Sequence, residues 1–284
     1  MEKDRRLKGL ATLNLWGRNL WNERRGIVID EFNRNELTAD KGTVLAFQEA
    51  EKEPLEEISD ALRFERRHIY FYPTTIGGQQ GLAILTNLEV SRKDFKLFSL
   101  DNKDPLEFGE RGVGMLEVKT DEKDTVLAVT HLTVSPRMQI PNARECMSSV
   151  KKFALSSLKD KGLTPDSTFS EISKHVNIVI AGDFNAAPDT PAYEAFVGEG
   201  LSDVTKSLRE KYGHTWPSDS DWFIEAHKKT FGGAEPSYDV REKGKRWMDY
   251  IWIAGIGPRE VRLLGTSPKN GIYMSDHLSP SAFF

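Results

Sequence analysis

The chain has 284 residues, with 39 Lys and Arg against 43 Asp and Glu, and a formal charge of −4. Its pI of about 5.9 excludes a broadly basic nucleic-acid binder, a class that usually stands above a pI of about 9. With 38% hydrophobic and 29% charged residues the composition is that of a folded soluble chain, and no apolar run is long enough for a transmembrane helix.

Short apolar runs recur along the chain, often flanked by Gly, Pro, Asn or Asp, and read as strands. The first is 10–15 (LATLNL), followed by a helical pattern over 24–37 and a strand at 44–47 (VLAF). A helix over 54–62 comes next, then strands at 68–72, 81–85, 113–118 and 126–129. Over 141–158, Met147, Val150, Phe153, Ala154 and Leu158 keep the spacing of one helix face, with Pro141 near its start. Strands at 178–181 (IVIA), 250–253 (YIWI) and 261–264 complete the set, with one more helix over 191–197. Runs such as VLAF and IVIA suit strands covered on both faces. Hairpin-like pairs between 68 and 131 predict a mixed sheet. Two polar stretches, 159–176 and 203–246, read as loops, and the second carries Tyr212, Trp216, Trp222, Phe223, Phe231 and Tyr238. No linker divides the chain, so one domain over 1–284 is expected. The single Cys146 excludes an internal disulfide. The charged N-terminus, with an apolar stretch broken at Asn14, does not read as a signal peptide, and the expected location is cytoplasmic.

Polar residues cluster where these runs end. Asn14 interrupts the first strand, and Gln48-Glu49 ends the second. His131 ends VLAV, Asp183 and Asn185 follow IVIA, and Asp249 opens YIWI. Asp276-His277 stands near the C-terminus. Singly, each has an ordinary reading as a turn or strand-end residue. Together they offer hard oxygen ligands and two imidazoles without cysteine, which suits Mg²⁺ or Mn²⁺ rather than zinc.

TLNLW, FQE, THL, GDFN, RWMDYIW and SDH occur here in the order used by the endonuclease/exonuclease/phosphatase superfamily, and the chain resembles that family over residues 10–280. The superfamily includes pancreatic-type deoxyribonucleases, abasic-site endonucleases, deadenylases, tyrosyl-DNA phosphodiesterases, inositol polyphosphate 5-phosphatases and neutral sphingomyelinases. The resemblance implies an α/β fold: a four-layer α/β sandwich of two facing mixed β-sheets flanked by helices. It implies Mg²⁺, with Mn²⁺ as a substitute. Glu49 would be the principal metal ligand, with Asn14 and Asp276 close to the ion. Asp183 would orient or deprotonate the attacking water, and Asn185 would bond the phosphate or a second metal. His277 would contact the scissile phosphate, with Asp249 fixing its tautomer and charge. His131 would bond a non-bridging phosphate oxygen or assist the leaving group.

Arg111 is either a bidentate phosphate clamp or an ordinary surface Arg. Arg25 reads as structural. Trp216 and Trp222 read equally as base-stacking platforms or as core, whereas Trp247 and Trp252 read as core. Lys228, Lys229 and the REKGKR run could meet a phosphate backbone or simply be solvated. His131 sets the chain apart from abasic-site endonucleases, and RWMDY does not match the 5-phosphatase signature. The leading expectation is a phosphodiesterase or nuclease on a phosphoester substrate such as DNA, RNA or a nucleotide. The alternatives are a phosphomonoesterase or sphingomyelinase-type phospholipase, and a non-catalytic module. No obligate protein partner is implied, and a monomer is expected.

Overall fold

In strand β8 (Asn177–Asp183), Ile178 and Ile180 face one layer while Val179 and Ala181 face another, and all four are buried. The same alternation governs most strands of this computed structural model, which describes residues 6–75, 77–99, 110–217, 220–230 and 246–284. Because side chains alternate across a strand, a strand covered on both faces is apolar along most of its length. That is the origin of the unbroken runs.

Two six-stranded sheets result. The first contains β1 (Gly9–Asn14), β2 (Thr43–Glu51), β3 (Ile69–Pro73), β4 (Gln80–Thr86), β11 (Glu260–Leu264) and β12 (Ser279–Phe283), in the order β11-β12-β1-β2-β4-β3. The second contains β5 (Val90–Leu97), β6 (Gly112–Val118), β7 (Thr125–His131), β8, β9 (Ser202–Asp203) and β10 (Asp249–Ala254), in the order β5-β6-β7-β8-β10-β9. Each sheet is mixed and holds a parallel pair at its centre, β1 with β2 and β7 with β8. The inner faces meet through Leu10, Val44 and Ile84 on one side and Leu127, Val179 and Ile251 on the other. The outer face of the first sheet is covered by α1 (Trp21–Arg34) and α2 (Lys52–Ala61), through Val28, Phe32, Leu55 and Ile58. The outer face of the second is covered by α3 (Pro136–Leu155), α4 (Phe169–Ile172) and α5 (Pro191–Gly198). These are the four layers expected from the motifs.

All nine expected strands and all four expected helices are present, with shifted ends. The helix expected from 141 starts earlier, with Ser135 before it and Pro136 in its first turn. Pro141 lies inside it, correcting its expected place near the start. The hairpins expected between 68 and 131 divide between the sheets, since β4 and β5 are consecutive yet belong to opposite ones. The stretch 203–246, expected as a loop, contains α6 (Lys206–Tyr212) and α7 (Asp221–Thr230). Phe231, Tyr238 and residues 241–245 of the REKGKR run lie outside the described residues. Lys228 and Lys229 lie on α7 and pair with Glu225 and with Glu23 of α1. Trp247 and Trp252 are buried in the core, as expected. Among the described residues, no helix is long and apolar enough to cross a membrane.

Candidate active site

Register brings the strand-end residues together. His131 of β7 stands beside Asp183 of β8, and Asp183 stands beside Asp249 of β10, in one row at the edge of the second sheet. At the matching edge of the first sheet, Asn14 of β1 stands beside Gln48 of β2. The β2–β4 ladder slips between Phe47 and Ala50, inserting an extra residue into β2. Glu49 takes up that slip with a φ of +49°. Left-handed backbone costs a residue with a Cβ roughly 1–2 kcal/mol, and bulges commonly re-aim a side chain beside a site.

The two sheet edges meet through Asn14. Its Nδ2 donates to Glu49 Oε1 at 3.1 Å and to Asp183 Oδ2 at 3.2 Å, while its Oδ1 accepts from the Trp16 N–H at 3.0 Å. Asp183 Oδ2 also lies 3.4 Å from His131 Nε2 and 3.8 Å from His277 Nε2. Its other oxygen accepts from the Asn185 N–H at 2.9 Å. Burial would raise the Asp183 carboxyl, but His277 and His131 outweigh it and hold it well below the usual carboxylate range.

His277 Nδ1 lies 2.9 Å from Asp249 Oδ2, and both residues are buried. Burial opposes the imidazolium, yet Asp249, Asp183 and Asp276 together hold His277 well above the ordinary imidazole value. Burial also raises the Asp249 carboxyl, while His277 and the Thr215 hydroxyl pull it back down. Nε2 is then left as a donor facing Asp183.

Asp276 lies in the loop before β12, tied to Asn14 through Ser275, whose hydroxyl contacts the Asn14 carbonyl at 2.6 Å and Asp276 Oδ1 at 3.1 Å. Burial pushes the Asp276 carboxyl up to about 7 and Glu49 adds to the rise, while His277, Arg24 and Ser275 pull the other way. A carboxyl raised by burial and by a neighbouring carboxylate is what a bound divalent cation relieves, so Asp276, with Glu49 near it, fits such an ion. Oxygen and nitrogen atoms of Asp183, Asp249 and His277 also lie within 4.8 Å of one another, close enough to hold a metal. His277 Nδ1 is already bonded to Asp249, so the oxygens of Glu49 and Asp276 form a second set that could hold an ion.

The remaining expected residues divide. A guanidinium nitrogen of Arg111 lies 2.8 and 3.1 Å from the two ring nitrogens of His131. No in-plane position is that close to both without striking the carbon between them, so the guanidinium lies over the ring face. Asn185 joins the cluster by its backbone, while its amide nitrogen donates to the Leu132 carbonyl at 3.0 Å. Trp216 is half-buried and packs edge-on against Phe223 at 5.3 Å. Trp222 packs on Trp16 and Tyr273. Arg25 is exposed and pairs with Glu57.

Arg24 was not expected. It is fully buried, and its guanidinium donates to the carbonyls of Asn19, Met274, Leu15 and Gly17. It thereby staples the loop after Asn14 to the segment before Asp276. A signal existed: Trp21, Arg24, Val28 and Phe32 share the buried face of α1, an unusual place for a charge.

A sequence profile described as the Endonuclease/Exonuclease/phosphatase family matches residues 11–277. The chain belongs to that family. No curated protein sequence matches it. Among solved structures, a functionally unknown conserved protein from Enterococcus faecalis V583 is 18% identical, with 96% of this chain and 98% of that one covered at a TM-score of 0.65. TDP2 from D. rerio, complexed with single-strand DNA product, is 15% identical, with 97% of each chain covered at a TM-score of 0.61. The mannosyl-6-phosphatase of Bacteroides thetaiotaomicron VPI-5482 is 14% identical, with 96% and 98% covered at a TM-score of 0.59. At these identities the likeness is one of fold.

Proposed function

We propose that the protein is a divalent-metal-dependent phosphodiesterase acting on nucleic acid or a nucleotide-like substrate, with Mg²⁺ as the ion and Mn²⁺ as a substitute. The observation that carries this reading is Asp183 Oδ2, within reach of Asn14, His131 and His277 at the meeting of two sheet edges. When bound, the cation would act as a Lewis acid and make water a nucleophile near neutral pH. Glu49 and Asp276 hold it. Asn14, which turns its nitrogen to the carboxylates, positions them rather than ligating the ion. Asp183, held ionised, orients the attacking water. The Nε2–H of His277 and the ring of His131 donate to phosphoryl oxygens, and Asp249 keeps His277 charged. Arg111, over His131, binds a phosphate oxygen. Asn185 fixes the Asp183 carboxylate through its backbone. The half-exposed ring of Trp216 is assigned to the substrate side. We further read the chain as one catalytic domain, monomeric and cytoplasmic, in keeping with its single, buried cysteine.

A phosphomonoesterase is the second reading, favoured by the mannosyl-6-phosphatase that shares the fold. A panel with Mg²⁺ separates them: bis-p-nitrophenyl phosphate, p-nitrophenyl phosphate, single- and double-stranded DNA, RNA and sphingomyelin. Turnover of diesters, abolished by EDTA and restored by Mg²⁺ or Mn²⁺, is expected. Rapid turnover of the monoester alone would sink the phosphodiesterase reading, and activity that persists in excess chelator would sink the metal.

A further inference from the structure

Asp249 and His277 come from different sheets. Asp249 opens β10 of the second, and His277 lies just before β12 of the first. No ladder therefore sets the 2.9 Å between them. Thr215 touches both segments. It is fully buried, and its Oγ1 accepts from the N–H groups of Met248 at 3.0 Å and Asp249 at 3.2 Å. Its carbonyl accepts from the N–H of Leu278, the residue after His277, at 2.7 Å. Its own N–H donates to the Arg246 carbonyl at 2.8 Å.

We propose that Thr215 is a positioning residue, a clasp that holds Asp249 and His277 in register across the two sheets. The proposal rests on reading that pair as part of the catalytic machinery. Thr215 acts only through the pair. Two features make the hydroxyl itself matter. It is the acceptor for two buried N–H groups, one of them that of Asp249, and a methyl in its place would leave both unpaired. Its proton can also turn toward Asp249, whose Oδ1 is buried without a partner at hydrogen-bond geometry. Consistent with this, the Thr215 hydroxyl is among the groups that lower the Asp249 carboxyl against the burial that raises it.

The test compares Thr215→Val, Thr215→Ser and His277→Ala with the wild-type protein, in the presence of Mg²⁺. Small displacements of a catalytic group cost up to about 100-fold in rate. Thr215→Val is therefore expected to lower kcat by roughly 10- to 100-fold with KM within about twofold. Thr215→Ser should restore most of it. A readout independent of turnover is the low-field proton resonance of His277 Nδ1–H: it should shift or vanish in Thr215→Val and persist in Thr215→Ser. A folded Thr215→Val protein with unchanged kcat and resonance would overturn the clasp, provided His277→Ala is inactive. If His277→Ala keeps full activity, the reading of the catalytic pair fails instead, and the resonance alone decides on Thr215. Should the valine variant not fold, Thr215→Ala replaces it, and equal kcat and resonance in the alanine and serine variants would overturn the proposal.

Discussion

Glu49 and Asn185 both carry a φ of +49°, in a region where residues other than Gly are uncommon. Asn tolerates it and Glu does not, so the strain at Glu49 needs a reason. The slip in β2 supplies the geometry, and the contact of Glu49 with Asn14 gives it a use in the proposed site. Strained residues of this kind persist where the surroundings over-determine them, often at functional sites. The two residues should also respond differently to substitution. On the proposed site, Glu49→Gln removes a formal charge that would face a bound ion, whereas Asn185 contributes a backbone N–H that any residue retains. Titration calorimetry with Mn²⁺ should show a loss of affinity for Glu49→Gln of about tenfold or more, taking one lost charge interaction as about 1.4 kcal/mol. Asn185→Ala should change affinity far less. Equal losses would count against Glu49 as the principal ligand.

At the scale of elements, most strands that sequence reveals are those whose burial on both faces leaves a nearly unbroken apolar run, and β3 and β11, though partly exposed, keep enough β-branched, aromatic or leucine residues to read as strands. Three escaped. β5 is an edge strand whose residues (VSRKDFKL) are largely charged, as suits an edge that must not pair with another chain. β12 hides two buried serines and a proline in the interior of a sheet. β9 has only two residues. The site was legible for a related reason: its charged residues stand where apolar runs stop. Arg24 was hidden because it lies within a helix, and the contacts of Thr215 because its stretch reads as a loop, whose pattern does not show what it touches.

Glu117 shows how such elements are tied. It is buried on β6 and accepts from Arg92 and Ser91 of β5 and from Ser157 beyond α3. Burial raises its carboxyl, but these donors and the Arg92 charge outweigh it and set the folded value below the ordinary 4.5. A depressed carboxyl stabilises the fold fully above its unfolded value, and that contribution is lost as pH falls through the folded value. Urea unfolding should therefore show Glu117→Gln less stable by about 1–3 kcal/mol at pH 7. The difference from wild type should shrink below pH 4.5. A difference that stays constant into acid would exclude the ionised pair as its source.

At the scale of the molecule, the charge of −4 first looks unfavourable for a phosphate-bearing substrate. The site changes its meaning. With Glu49, Asp183, Asp249 and Asp276 set aside, the remaining acids equal the Lys and Arg residues in number. On the proposed reading, the acids of the site would be offset locally, by a bound cation at Glu49 and Asp276 and by His277. The rest of the surface then offers little net attraction to a polyanion. Binding of single-stranded nucleic acid falls with salt by a slope of about −0.7 per phosphate neutralised. If contact centres on one or two phosphates, a fluorescent single strand of about 20 nucleotides should bind with a slope near −1, and a dinucleotide should bind with nearly the same affinity. The measurement is fluorescence anisotropy from low to physiological KCl at fixed Mg²⁺, with the His277→Ala protein to prevent turnover. A slope steeper than about −4 would mean some six neutralised phosphates. It would replace the picture of one gripped phosphodiester with that of an extended nucleic-acid track.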